Sequence, residues 1–169
     1  SLGEHLKAIG DFDKALEAVA DRPPTILERA YSHSVLGSNY EAIKDYTRAI
    51  ELGATDAKTY RHRGRCHQLS YDFWSAVLDF GSAIKLDGTE YDDYIQRGLS
   101  AEELGNASLA INAYTAAIGL DPDEALAFGQ RGACFDDLEN YDLAIEDYLR
   151  ADEAPAIQNI ASDVIDQDV

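Results

Sequence analysis

Residues 60–86 read YRHRGRCHQLSYDFWSAVLDFGSAIKL, and this stretch decides the fold. It divides into two amphipathic halves. The first carries Arg63-Gly64. The second carries Ala76, Phe80 and Ala83, whose spacings of four and three place them on one face of a helix. The pattern recurs along the chain. Arg29-Ala30, Arg63-Gly64, Arg97-Gly98 and Arg131-Gly132 follow one another at steps of 34 residues. Ala42, Ala76, Ala110 and Ala144 keep the step. So do Tyr46, Phe80, Tyr114 and Tyr148, and then Ala49, Ala83, Ala117 and Ala151.

Packing explains the columns. Two helices approach closely only where side chains are small, so Gly64, Gly98, Gly132 and Ala30 are expected opposite the column that begins at Ala42. Glycine inside a helix costs about 1 kcal/mol relative to alanine. A column that takes this cost in three units of four is set by clearance. The aromatic column is expected to fill the space between neighbouring units. No such unit buries its apolar face alone, so stacking makes the core and the array is quasi-one-dimensional.

A period of 34 with two helices per unit resembles the tetratricopeptide repeat, and the resemblance covers about nine-tenths of the chain. The small residue of the first helix and the Ala, aromatic, Ala series of the second carry it. It implies an all-α, right-handed superhelical solenoid of helix–turn–helix units with a C-terminal capping helix. The units fall at 23–56, 57–90, 91–124 and 125–154, after a truncated unit at 1–22 and before a cap and acidic tail at 155–169. In the truncated unit Gly3 and Ala15 are 12 residues apart, as Gly64 and Ala76 are, which predicts remnants of both helices. From Ala15 to Ala42 is 27 residues, seven short of the period, so the second helix or its exit is cut. At the other end Ile157, Ile160, Ala161 and Val164 form an amphipathic stripe after Pro155. That stripe predicts a cap over the last unit, or else a detachable segment that occupies a groove or a neighbouring molecule.

Asp45, Asp79 and Asp147 follow their arginines by 16 residues, where the second helix folds back. Arg–Asp pairing within each unit accounts for both columns, against the alternative of an anion-binding ladder. Ala113 breaks the series, which leaves Arg97 unpaired or paired elsewhere.

The net charge of −18 is lopsided. Residues 1–85 hold 11 Lys/Arg against 12 Asp/Glu, and residues 86–169 hold 3 against 20. Such a chain repels nucleic acid and anionic lipid. Its charge serves solubility or attracts a basic partner. No apolar run approaches the roughly 20 residues of a membrane span, and no signal peptide is visible. The chain starts at Ser1 and lacks methionine, as a fragment of a longer protein would. Cys66 and Cys134 occupy equivalent places two units apart, too distant for a disulfide when stacked helices lie about 10 Å apart. They read as small packing residues in a reducing, cytoplasmic setting.

No phosphate loop, nucleophile elbow or His-Glu-x-x-His motif is present, so neither enzyme activity nor a cofactor is expected. His62, Cys66 and His67 cluster on one helix but make an incomplete shell, and no metal site is expected.

In tetratricopeptide arrays the first helices line a concave groove. The resemblance therefore implies that Leu27 and Tyr31, then Lys58, Arg61, His62 and Arg65, then Ile95 and Leu99 face it. Lys58, Arg61 and Arg65, at i, i+3 and i+7, form a cationic stripe. The expected function is a non-catalytic interaction module, or scaffold, that binds a peptide segment of a partner in the groove. An acidic element of that peptide would sit on Arg61 and Arg65, unless those cations only offset nearby acids. Some family members clamp the terminal carboxylates of chaperones with lysines and asparagines. Tyr31 and His62 stand here at asparagine places, so that clamp is not expected. The alternative function is a self-assembling element, a homo-oligomer stacked head to tail or as a dimer.

Overall fold

The computed structural model describes the backbone of residues 2–19 and 22–165 and the side chains of residues 2–19 and 22–153. Among the described residues there are nine α-helices and no strand. They are α1 (Leu2–Ala18), α2 (Pro23–Val35), α3 (Asn39–Glu51), α4 (Ala57–Leu69), α5 (Phe73–Leu86), α6 (Tyr91–Glu103), α7 (Ala107–Leu120), α8 (Ala125–Asp137) and α9 (Tyr141–Ile165).

Local chemistry sets the helix ends. Asp56, Asp72 and Asn106 are N-caps whose side chains accept from the backbone N–H three residues on. Pro23 opens α2, where its missing N–H costs nothing. The turn inside each unit needs a left-handed residue, and the column at step 34 supplies it four times. Gly37 (φ 74°) and Gly105 (φ 67°) adopt it freely, whereas Tyr71 (φ 61°) and Glu139 (φ 60°) adopt it against their Cβ.

The chain forms two compact units, residues 1–88 and 89–169. In the first, α2 pairs with α3 and α4 with α5, while α1 packs on α2 and α3 on α4. In the second, α6 pairs with α7, α7 packs on α8, and α8 pairs with α9. The repeat columns form the core of each unit except at their last members, where Tyr148 is 43% exposed and Ala151 is only partly buried. Tyr46, Phe80 and Tyr114 are at most 2% exposed, and the alanines at 42, 49, 76, 83, 110 and 117 are fully buried.

The glycine column makes clearance for a different neighbour than expected. A Cβ on Gly64 would lie 3.2 Å from Asp79 Cβ and 3.3 Å from the Phe80 ring. One on Gly132 would lie 3.0 Å from the Tyr148 ring. The atoms nearest these positions belong to the unit's own aromatic side chain and to the aspartate before it.

The Arg–Asp pairing forms as expected. Arg29 Nε and Nη2 donate to the Asp45 carboxylate at 2.7 and 2.8 Å. Arg63 does the same with Asp79 at 2.8 and 2.7 Å, and Arg131 with Asp147 at 2.8 and 2.7 Å. The third nitrogen reaches back 16 residues. Arg63 Nη1 donates to Thr47 Oγ1 and Arg131 Nη1 to Thr115 Oγ1, both at 3.0 Å, and Arg29 Nη1 donates to Asp13 at 2.7 Å. For Arg97 the residues 16 before and after are Gly81 and Ala113, and its Nε is buried without a hydrogen-bond partner.

The start of the chain differs from expectation. Leu2–Ala18 is one helix of 17 residues, so Gly3 and Ala15 lie in a single element and no two-helix remnant forms. Gly10 does not adopt a positive φ, and no proline interrupts the stretch before Pro23, so nothing stops the helix earlier. Its second half takes the role of a second helix, through Asp13 on Arg29. At the far end α9 runs from Tyr141 to Ile165 as one helix. The capping contacts expected of Ile157, Ile160, Ala161 and Val164, and the tail at 166–169, lie outside the described residues. Both cysteines are free and buried. Among the described residues no helix is long and apolar enough to cross a membrane.

Candidate functional site

The first unit contains a cleft of about 400 Å³ where α2, α3 and the start of α4 meet. Leu27, Glu28 and Tyr31 of α2 form one wall. Lys58, Thr59 and His62 of α4, with the cap residue Asp56, form the other, and Tyr46 of α3 lies beneath. The repeat geometry makes this wall pair. Leu27 and Tyr31 are one turn apart on one first helix, Lys58 and His62 on the next, and both pairs face the same way.

Aromatic contacts order the cleft. The Tyr31 ring meets His62 edge-on, with centroids 5.7 Å apart, and His62 stacks on Tyr46 at 6.1 Å and 14°. His5 of α1 extends the series with an edge contact to Tyr31 at 6.1 Å. Asp56 fixes the start of α4, accepting from Thr59 N at 3.0 Å and Thr59 Oγ1 at 2.8 Å. Burial opposes ionisation of Asp56, but these hydrogen bonds outweigh it and hold the carboxyl below its ordinary range. His62 is shifted the same way. Burial, followed by the charges of Lys58, Arg65 and Arg61, disfavours its imidazolium and keeps the ring neutral near pH 7. Burial raises the pKa of Tyr46, and the Ser34 hydroxyl lies near enough to offset part of the shift, although it donates to the Tyr31 carbonyl and makes no well-formed hydrogen bond to Tyr46 Oη. Two polar atoms in the cleft, Tyr46 Oη and His62 Nε2, are buried without hydrogen-bond partners.

Of the residues expected to face a groove, Leu27, Tyr31, Lys58 and His62 come together here. Arg61 and Arg65 lie on α4 outside the cleft lining, although their charges reach His62. Ile95 and Leu99 belong to α6 in the second unit. Ile95 is 2% exposed and acts as core rather than open groove surface, while Leu99 is half-buried. Glu28, Tyr46, Asp56 and Thr59 were not legible as cleft residues. Glu28 stands one 34-residue step before His62, which is a usable signal. Asp56-x-x-Thr59 signals a cap but not a cleft wall, and Tyr46 reads only as a member of the aromatic column.

A second hollow of about 560 Å³ runs along α3. Within it Arg29 is paired with Asp45, and Arg48 with Glu51 at 3.3 Å. The His62, Cys66 and His67 cluster does not assemble as ligands. Cys66 is buried in the core, and His67 lies 3.1 Å from Asp72. Among the described residues no three His, Cys, Asp or Glu side chains converge as a metal shell.

The family model described as Tetratricopeptide repeat matches residues 95–156. A crystal structure of MamA is similar with a TM-score of 0.86 at 24% identity, covering 93% of this chain and 92% of that one. YrrB, described as a TPR protein with an unusual peptide-binding site, is similar with a TM-score of 0.83 at 21% identity, covering 91% and 79%. MamA residues 41 to the end from Desulfovibrio magneticus RS-1 are similar with a TM-score of 0.81 at 15% identity, covering 92% and 88%. No curated protein matches the chain. At these identities the likeness is one of fold.

Proposed function

We propose that this chain, a tetratricopeptide-repeat solenoid by its fold, is a non-catalytic interaction module that holds a peptide segment of a partner protein in the cleft between α2 and α4. One observation carries the reading. The cleft walls come from facing first helices, and its base presents two buried polar atoms with nothing bonded to them. Buried polar groups in folded proteins are mostly hydrogen-bonded, and of the six buried side-chain atoms without partners among the described residues two lie in this cleft, which suits it to an incoming hydrogen-bonding chain. YrrB, similar in fold and described as having an unusual peptide-binding site, lends support by analogy.

Selection of a random-peptide display library on the immobilised chain tests the reading. Enriched peptides are expected to bind the wild type and to lose at least about tenfold in affinity to a Tyr31→Ala/His62→Ala variant, as loss of an aromatic anchor pair predicts. Failure to enrich any peptide, or equal binding to wild type and variant, would end this reading.

A further inference from the structure

Two tyrosines of the aromatic column, two repeats apart, have hydroxyls in different circumstances. Tyr114 on α7 donates its hydroxyl hydrogen to Glu102 Oε2 on α6. Cys134 on α8 donates to the other oxygen of the same carboxylate, Oε1, at 3.3 Å. One glutamate thus satisfies a buried phenol and a buried thiol inside the second unit. Tyr46 and Cys66 stand 68 residues before Tyr114 and Cys134 and are equally buried, at 2% and 1% exposed. The counterpart of Glu102 at the same step is Ser34. That hydroxyl is turned to its own helix, donating to the Tyr31 carbonyl at 2.7 Å. The first unit repeats the arrangement of the second but lacks the carboxylate, and Tyr46 Oη is left without a partner.

The surroundings of Tyr46 favour an anion. His62, stacked on its ring, has a buried Nε2 that is also unpartnered. Lys58 lines the same cleft, and Arg61 and Arg65 add positive potential at the imidazole. Two acids of the lining oppose these cations: Asp56, which is engaged by Thr59, and Glu28, which is exposed to solvent as Lys58 is.

We propose that the cleft binds an acidic side chain, Asp or Glu, of the partner peptide, whose carboxylate accepts from Tyr46 O–H and His62 Nε2–H with Lys58 as counter-charge. The ligand would supply the group that Glu102 supplies internally in the second unit. This rests on the peptide-binding reading only for the identity of the carrier. The carboxylate contact is tested without a peptide.

The test follows the His62 imidazole resonances of the full chain at fixed pH and ionic strength while three small probes are titrated. These are N-acetyl-glutamate amide, its neutral counterpart N-acetyl-glutamine amide, and N-acetyl-alanine, which carries only a terminal carboxylate. N-acetyl-glutamate amide is expected to give a saturable shift and to bind about tenfold or more tightly than the glutamine amide, as a charge-assisted hydrogen bond predicts. Tyr46→Phe should remove about that factor, and the natural Phe80 in the same column shows that the fold accepts it. Ser34→Glu should place the carboxylate internally, raise the thermal midpoint and abolish the response. Equal binding of the glutamate and glutamine probes, or unchanged binding to Ser34→Glu, overturns the proposal. Tighter binding of N-acetyl-alanine overturns the side-chain assignment in favour of a chain terminus. If display peptides bind the cleft while the carboxylate probes do not, this inference falls and the peptide reading stands. The reverse result separates them the other way.

Discussion

At Gly98 an added Cβ would stand 2.6 Å from Tyr114 Cζ and 2.9 Å from Cδ1, closer than side-chain packing allows. At Gly129, in the interior of α8, the same Cβ would meet nothing within 4 Å. Gly98→Ala is therefore expected to destabilise by about 1–3 kcal/mol, the usual range for overpacking. Gly129→Ala should stabilise by about 0.5–1 kcal/mol through helix propensity alone. Urea denaturation of the two variants checks both signs. The left-handed turn column makes a second contrast. Tyr71 holds φ 61° where Gly37 and Gly105 hold 74° and 67°, and its side chain is exposed, so it forfeits little packing if removed. Tyr71→Gly should stabilise by about 1 kcal/mol, the cost of left-handed backbone for a residue with a Cβ. An unchanged or lower thermal midpoint would show that the exposed ring earns its place in some other way. The repeat period makes residues 37, 71, 105 and 139 comparable, but the sequence does not reveal that a tyrosine and a glutamate would accept the glycine conformation.

At the scale of elements, the arginine forks of α2, α4 and α8 tie each of these helices to the helix after it and to the helix before it. Asp79→Ala would leave the Arg63 guanidinium, only 17% exposed, without its bidentate partner. We expect a loss of about 2–3 kcal/mol, less than for a fully buried pair because water reaches the arginine. Ala113→Asp is the converse experiment. It returns an acceptor to α7 at the register where Asp45, Asp79 and Asp147 pair with their arginines, and the urea midpoint should rise. A fall would mean that α6 and α7 hold a spacing the aspartate cannot fit. The start of α4 should also respond to acid. His62 has its pKa lowered below the ordinary 6.5 by burial and by Lys58, Arg65 and Arg61, with Asp56 opposing. The folded ring stays neutral where the unfolded one takes up a proton, so the unfolded chain binds more protons at pH values below 6.5. The stability His62 contributes is thus fully present above that value and is lost as pH falls through the window below it. His62→Gln should flatten the thermal midpoint between roughly pH 7 and pH 5, apart from the carboxylate-driven losses that set in at lower pH.

The whole chain carries its charge unevenly. Residues 86–169 hold 20 acidic against 3 basic side chains, and residues 1–85 are nearly balanced at 12 against 11. Self-repulsion should therefore weaken the second unit more than the first. Added salt shortens the screening length from about 30 Å at 0.01 M to about 3 Å at 1 M. Over that range hydrogen exchange is expected to slow more for amides in α6–α8 than for those in α2–α5. Equal slowing in both units would show that the acids are already offset locally.

Sequence alone determined the repeat, the columns that bury Ala42, Ala76, Ala110, Tyr46, Phe80 and Tyr114, the Arg–Asp pairs and the one arginine left out of them. These follow from spacing, because a residue's place on a helix face is set by position modulo the helical period. Tertiary structure decided what spacing leaves open. It made α1 a single helix, since nothing between Gly3 and Ala15 stops one. It gave the glycine clearance to the aromatic rings and placed Ile95 in a core. It also joined Tyr46 to His62 across 16 residues and left both polar atoms open in one cleft. Whether a buried hydroxyl finds a partner depends on which way neighbouring side chains turn. One register of the sequence holds serine at 34 and glutamate at 102, but only the structure shows that Ser34 donates to its own backbone while Glu102 reaches across to Tyr114.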